Sequence, residues 1–115
     1  FLRGAKATFI RLQAANDRKD LDDIREYTTP EVFAEIALQM QERGDAVQKT
    51  DVLQLDAQVL EVVTEGDFTV ASVRFTGELA ENGGAAEPFD EIWNVQHDTR
   101  RENSGWLLAG IQQTN

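Results

Sequence analysis

The spacing of apolar residues changes near residue 50, from a helical repeat to alternation at every second position. The first helical stretch runs from Phe1 to about Asn16. About one third of its circumference carries Phe1, Leu2, Ala5, Phe9 and Leu12. This apolar stripe predicts a helix that packs on a core.

Start and stop signals predict two shorter helices next. Asp20 is a suitable N-cap for the second helix. Thr29 and Pro30 begin the third, since proline at the first helical position loses no hydrogen bond, and Gly44 ends it. The side chains expected to point inward are Leu21, Ile24 and Tyr27 in the second helix, and Phe33, Ile36, Ala37 and Met40 in the third.

Four strands separated by turns are predicted in the second half of the chain. The first begins at Asp51, and its apolar residues change parity near Val59 and Leu60. Either a bulge there bends the strand or both faces are buried. The second strand runs from Phe68 to Leu79 and the fourth from Trp106 to Gln113. The positions expected on one face are Leu53, Leu55, Ala57 and Val59, then Ala71, Val73 and Phe75, and in the third strand Phe89, Trp93 and Val95.

Three helices followed by four strands predict an α+β fold. Short hairpins make strands that are neighbours in sequence into neighbours in space, so we expect a four-stranded antiparallel meander. The helices would lie together on one face of this sheet. At 115 residues, the chain is expected to form a single domain, 1–115.

The composition excludes several classes of protein. There is no cysteine, which excludes disulfide bonds and thiolate metal sites. The net charge of −10 argues against nucleic-acid binding, because phosphate groups need a coherent basic surface. No apolar run approaches the roughly 20 residues of a membrane-spanning helix. Since the chain begins at Phe1 and not at Met, we expect it to be the C-terminal part of a longer protein.

The charges are unevenly distributed along the chain. The first 15 residues carry Arg3, Lys6 and Arg11 and no acid, whereas the rest carries 8 bases and all 21 acids. One interpretation is that these three bases contact an anionic membrane or a partner, since each contributes about 1 kcal/mol near an anionic surface. The alternative is a solvated edge on a core helix, because three bases attach a domain only marginally without a second anchor.

Four segments of the chain carry a resemblance to a known family. They lie at Phe1 to Phe9 (FLRGAKATF), Asp20 to Phe33 (DLDDIR through TTPEVF), Glu87 to Trp93 (EPFDEIW) and Trp106 to Gln113 (WLLAGIQQ). Together they resemble the domain shared by the forty-four-kilodalton Tim subunit of the mitochondrial inner-membrane import machinery and its bacterial relatives. That domain has the cystatin-like, nuclear-transport-factor-like cone, with three helices across a strongly bent sheet.

The resemblance implies a non-enzymatic, membrane-peripheral domain that binds partner proteins and anionic lipid, and that needs no cofactor. The acidic balance favours a bacterial relative, associated with the inner membrane on its cytoplasmic side through a segment outside this chain. The membrane-contacting helices of the family lie at the start of the domain. Here only the first helix, with Arg3, Lys6 and Arg11, can correspond to them.

The second hypothesis is a small-molecule-binding domain or an enzyme, because cone folds also host isomerases, dehydratases and cyclases. Its pocket would be lined by Phe9, Tyr27, Phe33, Trp93 and Trp106, with strand carboxylates nearby. Core packing is the alternative for both indoles. Glu91 and His97 share a strand face, but about 20 Å of strand separates them, and we expect His97 to be exposed. One histidine and no cysteine also predict no metal site.

Overall fold

The computed structural model describes residues 2–44, 47–101 and 105–113 as three helices followed by one antiparallel sheet. The strands pair in sequence order, so the predicted α+β class and the meander are confirmed. The helices are α1 (Leu2–Arg18), α2 (Leu21–Tyr27) and α3 (Pro30–Arg43). The strands are β1 (Thr50–Glu65), β2 (Phe68–Glu81), β3 (Ala86–Asp98) and β4 (Leu107–Gln113).

The ends of α2 and α3 lie where their capping residues predict. The Asp20 carboxylate accepts a hydrogen bond from the backbone N–H of Asp23 at 3.1 Å, and the Thr29 hydroxyl accepts one from Val32 at 3.4 Å. Gly44 follows α3 with a φ of 66°, which glycine adopts without steric penalty. These local bonds determine where the two helices begin and end.

The junction between α2 and α3 is attached to the outer edge of β4. Thr28 and Thr29 are both buried, and Thr28 forms a parallel bridge with Leu108. The Thr29 N–H donates to the Leu108 carbonyl at 2.9 Å. This junction therefore places the end of α2 beside β4.

The core lies between α1 and the face of the sheet that the helices cover, which we call the inner face. Phe9 of α1 is fully buried there. Its ring centroid lies 4.8 Å from that of Phe75, 4.8 Å from that of Trp93 and 5.5 Å from that of Phe89. Phe9 therefore joins α1 to both central strands through aromatic contacts.

Several inward positions were predicted wrongly at the ends of elements. Leu2 and Leu21 are each 37% exposed, and each is the first residue of its helix, α1 or α2. Leu53 is 57% exposed, and its neighbour Val52 packs against the core instead. Phe1, the first residue of the predicted stripe, lies outside the described residues.

Two register shifts in β1 explain the position of Leu53. One lies between Val59 and Glu61, so of the two explanations for the change of parity the bulge is the one observed. The other lies between Val52 and Gln54, and it leaves Leu53 without a partner on β2. Because each bulge inserts one extra residue, strict alternation along β1 does not hold and Leu53 is displaced from the inner face.

Candidate functional site

A cavity of about 420 Å³, partly open to solvent, lies between the helices and the inner face of the sheet. Its helical wall is formed by Gly4, Ala5 and Thr8 of α1 and by Glu26 and Tyr27 of α2. Its sheet wall and rim consist of Val73, Phe75, Trp93, Val95, Leu108, Trp106 and Gly105. The lining is mostly apolar, so the cavity suits an apolar group better than a charged one.

Small residues near the start of α1 keep this cavity open. Phe9 fills the space above the central strands, whereas the α1 residues about one turn earlier that line the cavity, Gly4 and Ala5, are small. A Cβ added at Gly4 would meet no heavy atom within 4 Å. Because Gly4 lines the cavity, a larger side chain at this position has room to extend into it.

Hydrogen bonds to Glu91 hold the indole of Trp93 in the cavity wall. Trp93 is only 3% exposed, and its Nε1–H donates to Glu91 Oε1 at 2.9 Å. The Gln113 amide donates to the other oxygen of Glu91 at 3.1 Å. Glu91 thus serves as an acceptor that orients the indole, and Trp93 belongs both to the core and to the cavity wall.

Trp106 brings a second indole to the cavity and covers His97. The two ring centroids are 5.4 Å apart, and both side chains are half-buried. The prediction that His97 is exposed was therefore wrong, since no local signal relates Trp106 to a residue in the preceding strand. Trp106 also lies immediately before β4 instead of inside it.

The three bases of α1 have different surroundings. Arg3 is exposed and Lys6 is half-buried, and neither forms an ion pair within the described part of the chain. Arg11 binds Asp23 of α2 through two nitrogens, with Nη2–Oδ1 at 2.6 Å and Nε–Oδ2 at 3.0 Å. Its guanidinium also lies 5.0 Å from the centroid of the Tyr27 ring. Arg11 therefore connects α1 to α2 and orients a residue of the cavity wall.

The Arg11–Asp23 pair changes the titration of both groups. The hydrogen bonds from Arg11 hold the pKa of the Asp23 carboxyl below its usual range, against the opposing effect of burial, and the pKa of Arg11 is raised in turn. Because the Asp23 pKa is depressed in the folded state, its contribution to stability is present above the unfolded pKa of about 3.9. That contribution is lost as the pH falls through the lower, folded pKa.

The structure brings only part of the predicted pocket together. Tyr27, Trp93 and Trp106 line the cavity, whereas Phe9 lies behind the wall in the core. Phe33 lies on α3, with the Arg25 guanidinium 4.6 Å from its ring centroid. On the helices, the lining residues that were not predicted are Gly4, Ala5, Thr8 and Glu26, and on the sheet side they are Val73, Phe75, Val95, Gly105 and Leu108. Of the helical residues, Ala5 belongs to the predicted apolar stripe of the first helix, whereas Gly4 lies outside that stripe.

The described residues offer few groups for catalysis. They contain no cluster of three or more histidine, cysteine, aspartate or glutamate side chains that could hold a metal ion. Glu26 is the charged side chain of the cavity lining, and within residues 2–44, 47–101 and 105–113 the Tyr27 hydroxyl has no carboxylate at hydrogen-bonding distance. The arrangement is suited to binding an apolar group.

Comparisons with known proteins give a clear match over nearly the whole chain. The family model described as the Tim44-like domain matches residues 1–113. No curated protein matches the chain. Among solved structures, a SEC-C motif containing protein from Rhodopseudomonas palustris is similar, with 21% identity and a TM-score of 0.48 over 89% of this chain and 72% of that one. In the described part of the chain, no helix has the length and apolar character needed to cross a bilayer.

Proposed function

The chain belongs to the Tim44-like domain family, and on this premise we propose that it is a membrane-peripheral binding and tethering domain. At the level of the family, the domain is membrane-associated, binds proteins and is generally non-enzymatic. For this chain we propose the cytoplasmic side of a bacterial inner membrane. There α1 would face the lipid and the acidic remainder of the domain would hold a partner protein.

The observation that carries the membrane part is the exposed side of α1. Leu2, Lys6 and Ile10 are spaced by four residues and so share one side of the helix, next to Arg3. Leu2 is 37% and Ile10 49% exposed, which places two apolar side chains among two unpaired cations. We call Leu2, Arg3, Lys6 and Ile10 the contact face. Basic residues interspersed with apolar ones are typical of helices that lie in a membrane interface.

The strength of this contact fits a peripheral role. Arg11 binds Asp23, so Arg3 and Lys6 are the cations of the contact face, and together they contribute about 2 kcal/mol at an anionic surface. Two exposed aliphatic side chains add to this value through burial. The sum supports reversible attachment, and stable anchoring needs a second attachment.

Charge reversal on the contact face tests this proposal. We expect the double substitution Arg3→Glu with Lys6→Glu to weaken binding to anionic vesicles at least about 30-fold, since it removes about 2 kcal/mol of attraction and adds repulsion. The measurement is flotation in low-salt buffer with cardiolipin-containing vesicles. The matched control is Lys49→Glu with Arg101→Glu, which changes the net charge equally at two exposed positions elsewhere. Equal flotation of both variants, or no flotation of the unsubstituted chain, would contradict the proposal.

A second candidate function, the binding of a small hydrophobic molecule, is favoured by the cavity. Its volume of about 420 Å³ lies within the range of roughly 300–1,000 Å³ that is usual for small-molecule sites. Two indoles lie in its wall, which makes tryptophan fluorescence a direct reporter of occupancy. This function is compatible with the first, since the contact face and the cavity use different residues of α1.

Filling the cavity tests the second candidate. We expect Gly4→Leu to weaken binding of an aliphatic alcohol at least about tenfold, because the leucine side chain would occupy the space that the ligand needs. Titration of tryptophan fluorescence measures the affinity. Ala7→Leu, at an exposed position of the same helix, is the control and should bind like the unsubstituted chain. Unchanged affinity in Gly4→Leu would show that the cavity is not the site.

A further inference from the structure

The two edges of the sheet differ in how much backbone they expose. At the β4 edge, Leu108 forms a bridge with Thr28 and accepts a hydrogen bond from Thr29. At the other edge, within the described residues, β1 pairs with β2 alone, and its first residue, Thr50, donates its N–H to the Asp17 carboxylate. Beyond Thr50, β1 therefore presents backbone donors and acceptors that another strand can pair with.

All four acids of β1 lie on one face of the sheet, although their spacing in sequence does not suggest it. They are five, five and four residues apart, but the two bulges bring them into phase. Asp51, Asp56, Glu61 and Glu65 pair in turn with Ala80, Thr76, Ser72 and Phe68, which are four residues apart on β2. Since Val73 and Phe75 point to the inner face, the acids lie on the opposite, outer face. β1 contains no lysine or arginine.

The inner face of β1 is apolar and is not fully covered. Val59 pairs with the buried Val73, and Val62 pairs with the buried Ala71, so both valines lie on the inner face. Nevertheless Val59 is 36% and Val62 57% exposed. The β1 edge thus combines accessible backbone, an acidic outer face and exposed valines on the inner face.

We propose that the β1 edge binds an extended segment of a partner protein that has apolar residues at every second position and lysine or arginine at every fourth. The segment would add a fifth strand to the sheet, with main-chain hydrogen bonds providing affinity and alternate side chains providing specificity. Its apolar residues cover Val59 and Val62, and its bases lie beside the carboxylates. This inference rests on the protein-binding part of the proposed function and names the surface that serves it.

The charges select this occupant over a second copy of the chain. Pairing of two β1 edges would bring two sets of four carboxylates together on chains that each carry a net charge of −10. Like charges on neighbouring strands are destabilising, whereas opposite charges contribute favourably. The acids of β1 therefore discourage self-association and favour a basic strand.

The positions of the acids along β1 specify how the bases are spaced in the partner segment. If the incoming strand keeps the residue count of β2, bases at every fourth position lie beside Asp56, Glu61 and Glu65. The positions between these bases that face inward meet Val59 and Val62. A nine-residue peptide with the sequence KVTVKVTVK satisfies both requirements and serves as the probe.

Fluorescence anisotropy with this labelled peptide tests the inference on the 115-residue chain. We expect Asp56→Lys with Glu61→Lys to weaken binding at least about tenfold, because two attractive cross-strand pairs become repulsive. Glu35→Lys with Glu42→Lys on α3 gives the same net charge at exposed positions and should bind like the unsubstituted chain. The peptide EVTVEVTVE should bind the β1 variant more tightly than it binds the unsubstituted chain. Circular dichroism confirms that each variant is folded.

Three results would overturn the inference. One is equal loss of binding in the α3 variant, which would show that net charge alone attracts the peptide. Another is full binding of a peptide N-methylated at alternate residues, since methylation removes the N–H groups that strand addition requires. The third is a dimer of the unsubstituted chain that the peptide does not dissociate, because a second copy would then occupy the edge. Flotation of the β1 variant on anionic vesicles separates this failure from failure of the membrane proposal.

Discussion

Replacement of Phe9 by alanine is expected to lower the free energy of unfolding by about 3–5 kcal/mol. Phe9 is fully buried, and its ring contacts Phe75, Phe89 and Trp93 from three directions. The substitution removes the apolar contact area and leaves a void beside the existing cavity. Because small domains are stable by only about 5–15 kcal/mol, this change removes a large part of the total.

Urea denaturation followed by tryptophan fluorescence measures this effect. The control is Ile10→Ala in the same helix, where the side chain is 49% exposed. We expect a loss below about 1 kcal/mol there, since little apolar surface returns to water. A loss below 1 kcal/mol for Phe9→Ala itself would mean that α1 does not close over the central strands as described.

Replacement of Gly77 by alanine is expected to cost about 3 kcal/mol, at the upper end of the usual range for overpacking. A Cβ at this position would lie 1.9 Å from the carbonyl oxygen of Gln54 and 3.1 Å from the ring of Phe89. The closer atom belongs to the backbone of β1, next to the bulge at Leu53, so it cannot move aside as a side-chain end would. The added methyl group must separate β1 from β2 locally.

The matched control for Gly77→Ala is Gly4→Ala, which adds the same methyl group where no heavy atom lies within 4 Å. Alanine there should stabilise the chain by about 0.5–1 kcal/mol, because glycine is a poor residue inside a helix. Urea denaturation compares the two variants directly. A Gly77→Ala variant as stable as the unsubstituted chain would show that β1 and β2 do not approach each other this closely.

The features that the sequence predicted well depend on neighbouring residues. Asp20, Thr29 and Gly44 act through hydrogen bonds and backbone angles within one helical turn, so their roles are visible in a short window. Ala71, Val73 and Phe75 of β2 are all buried, as alternation in a central strand predicts. Short hairpins then determined the order of the strands.

The features that the sequence predicted poorly depend on contacts between distant elements. Leu53 is exposed because it lies in a bulge of β1, where β1 comes close to Gly77, 24 residues away in sequence. His97 is half-buried because Trp106, just before β4, covers it. Leu2 has the spacing of a core residue, but it is the first residue of α1 and is 37% exposed. In each case the exposure of the side chain depends on where distant elements pack, and the local sequence pattern does not contain that information.

The candidate site also has some features that could be predicted from the sequence and others that could not. Tyr27, Trp93 and Trp106 could be proposed from the sequence because aromatic residues supply much of the area of any pocket or core. The cavity itself could not be predicted from the sequence, because its shape depends on how the surrounding helices and strands pack. Arg11 illustrates the converse: its charge suggested a surface contact, whereas the structure pairs it with Asp23 across two helices.

The exposure of Leu2 and the pairing of Arg11 together change the proposed membrane contact. The sequence suggested three bases beside an apolar stripe that faces the core and includes Leu2. The structure places two bases and two exposed aliphatic residues on one side of α1. The contact face therefore carries two positive charges instead of the three expected, but it also has apolar side chains that can enter the membrane interface.

Site-specific fluorescence tests the central claim, that this side of α1 contacts an anionic membrane, most directly. The chain has no cysteine, so a single introduced cysteine can carry an environment-sensitive dye without other labelling. The two positions are Ala7 of α1, which is exposed and lies one turn after Arg3 beside the contact face, and the exposed Ala34 of α3. With vesicles containing cardiolipin, we expect the dye at position 7 to shift to shorter wavelength and the dye at position 34 to remain unchanged. With vesicles of zwitterionic lipid alone, neither should shift. Equal shifts at both positions, or no shift at position 7, would contradict the claim.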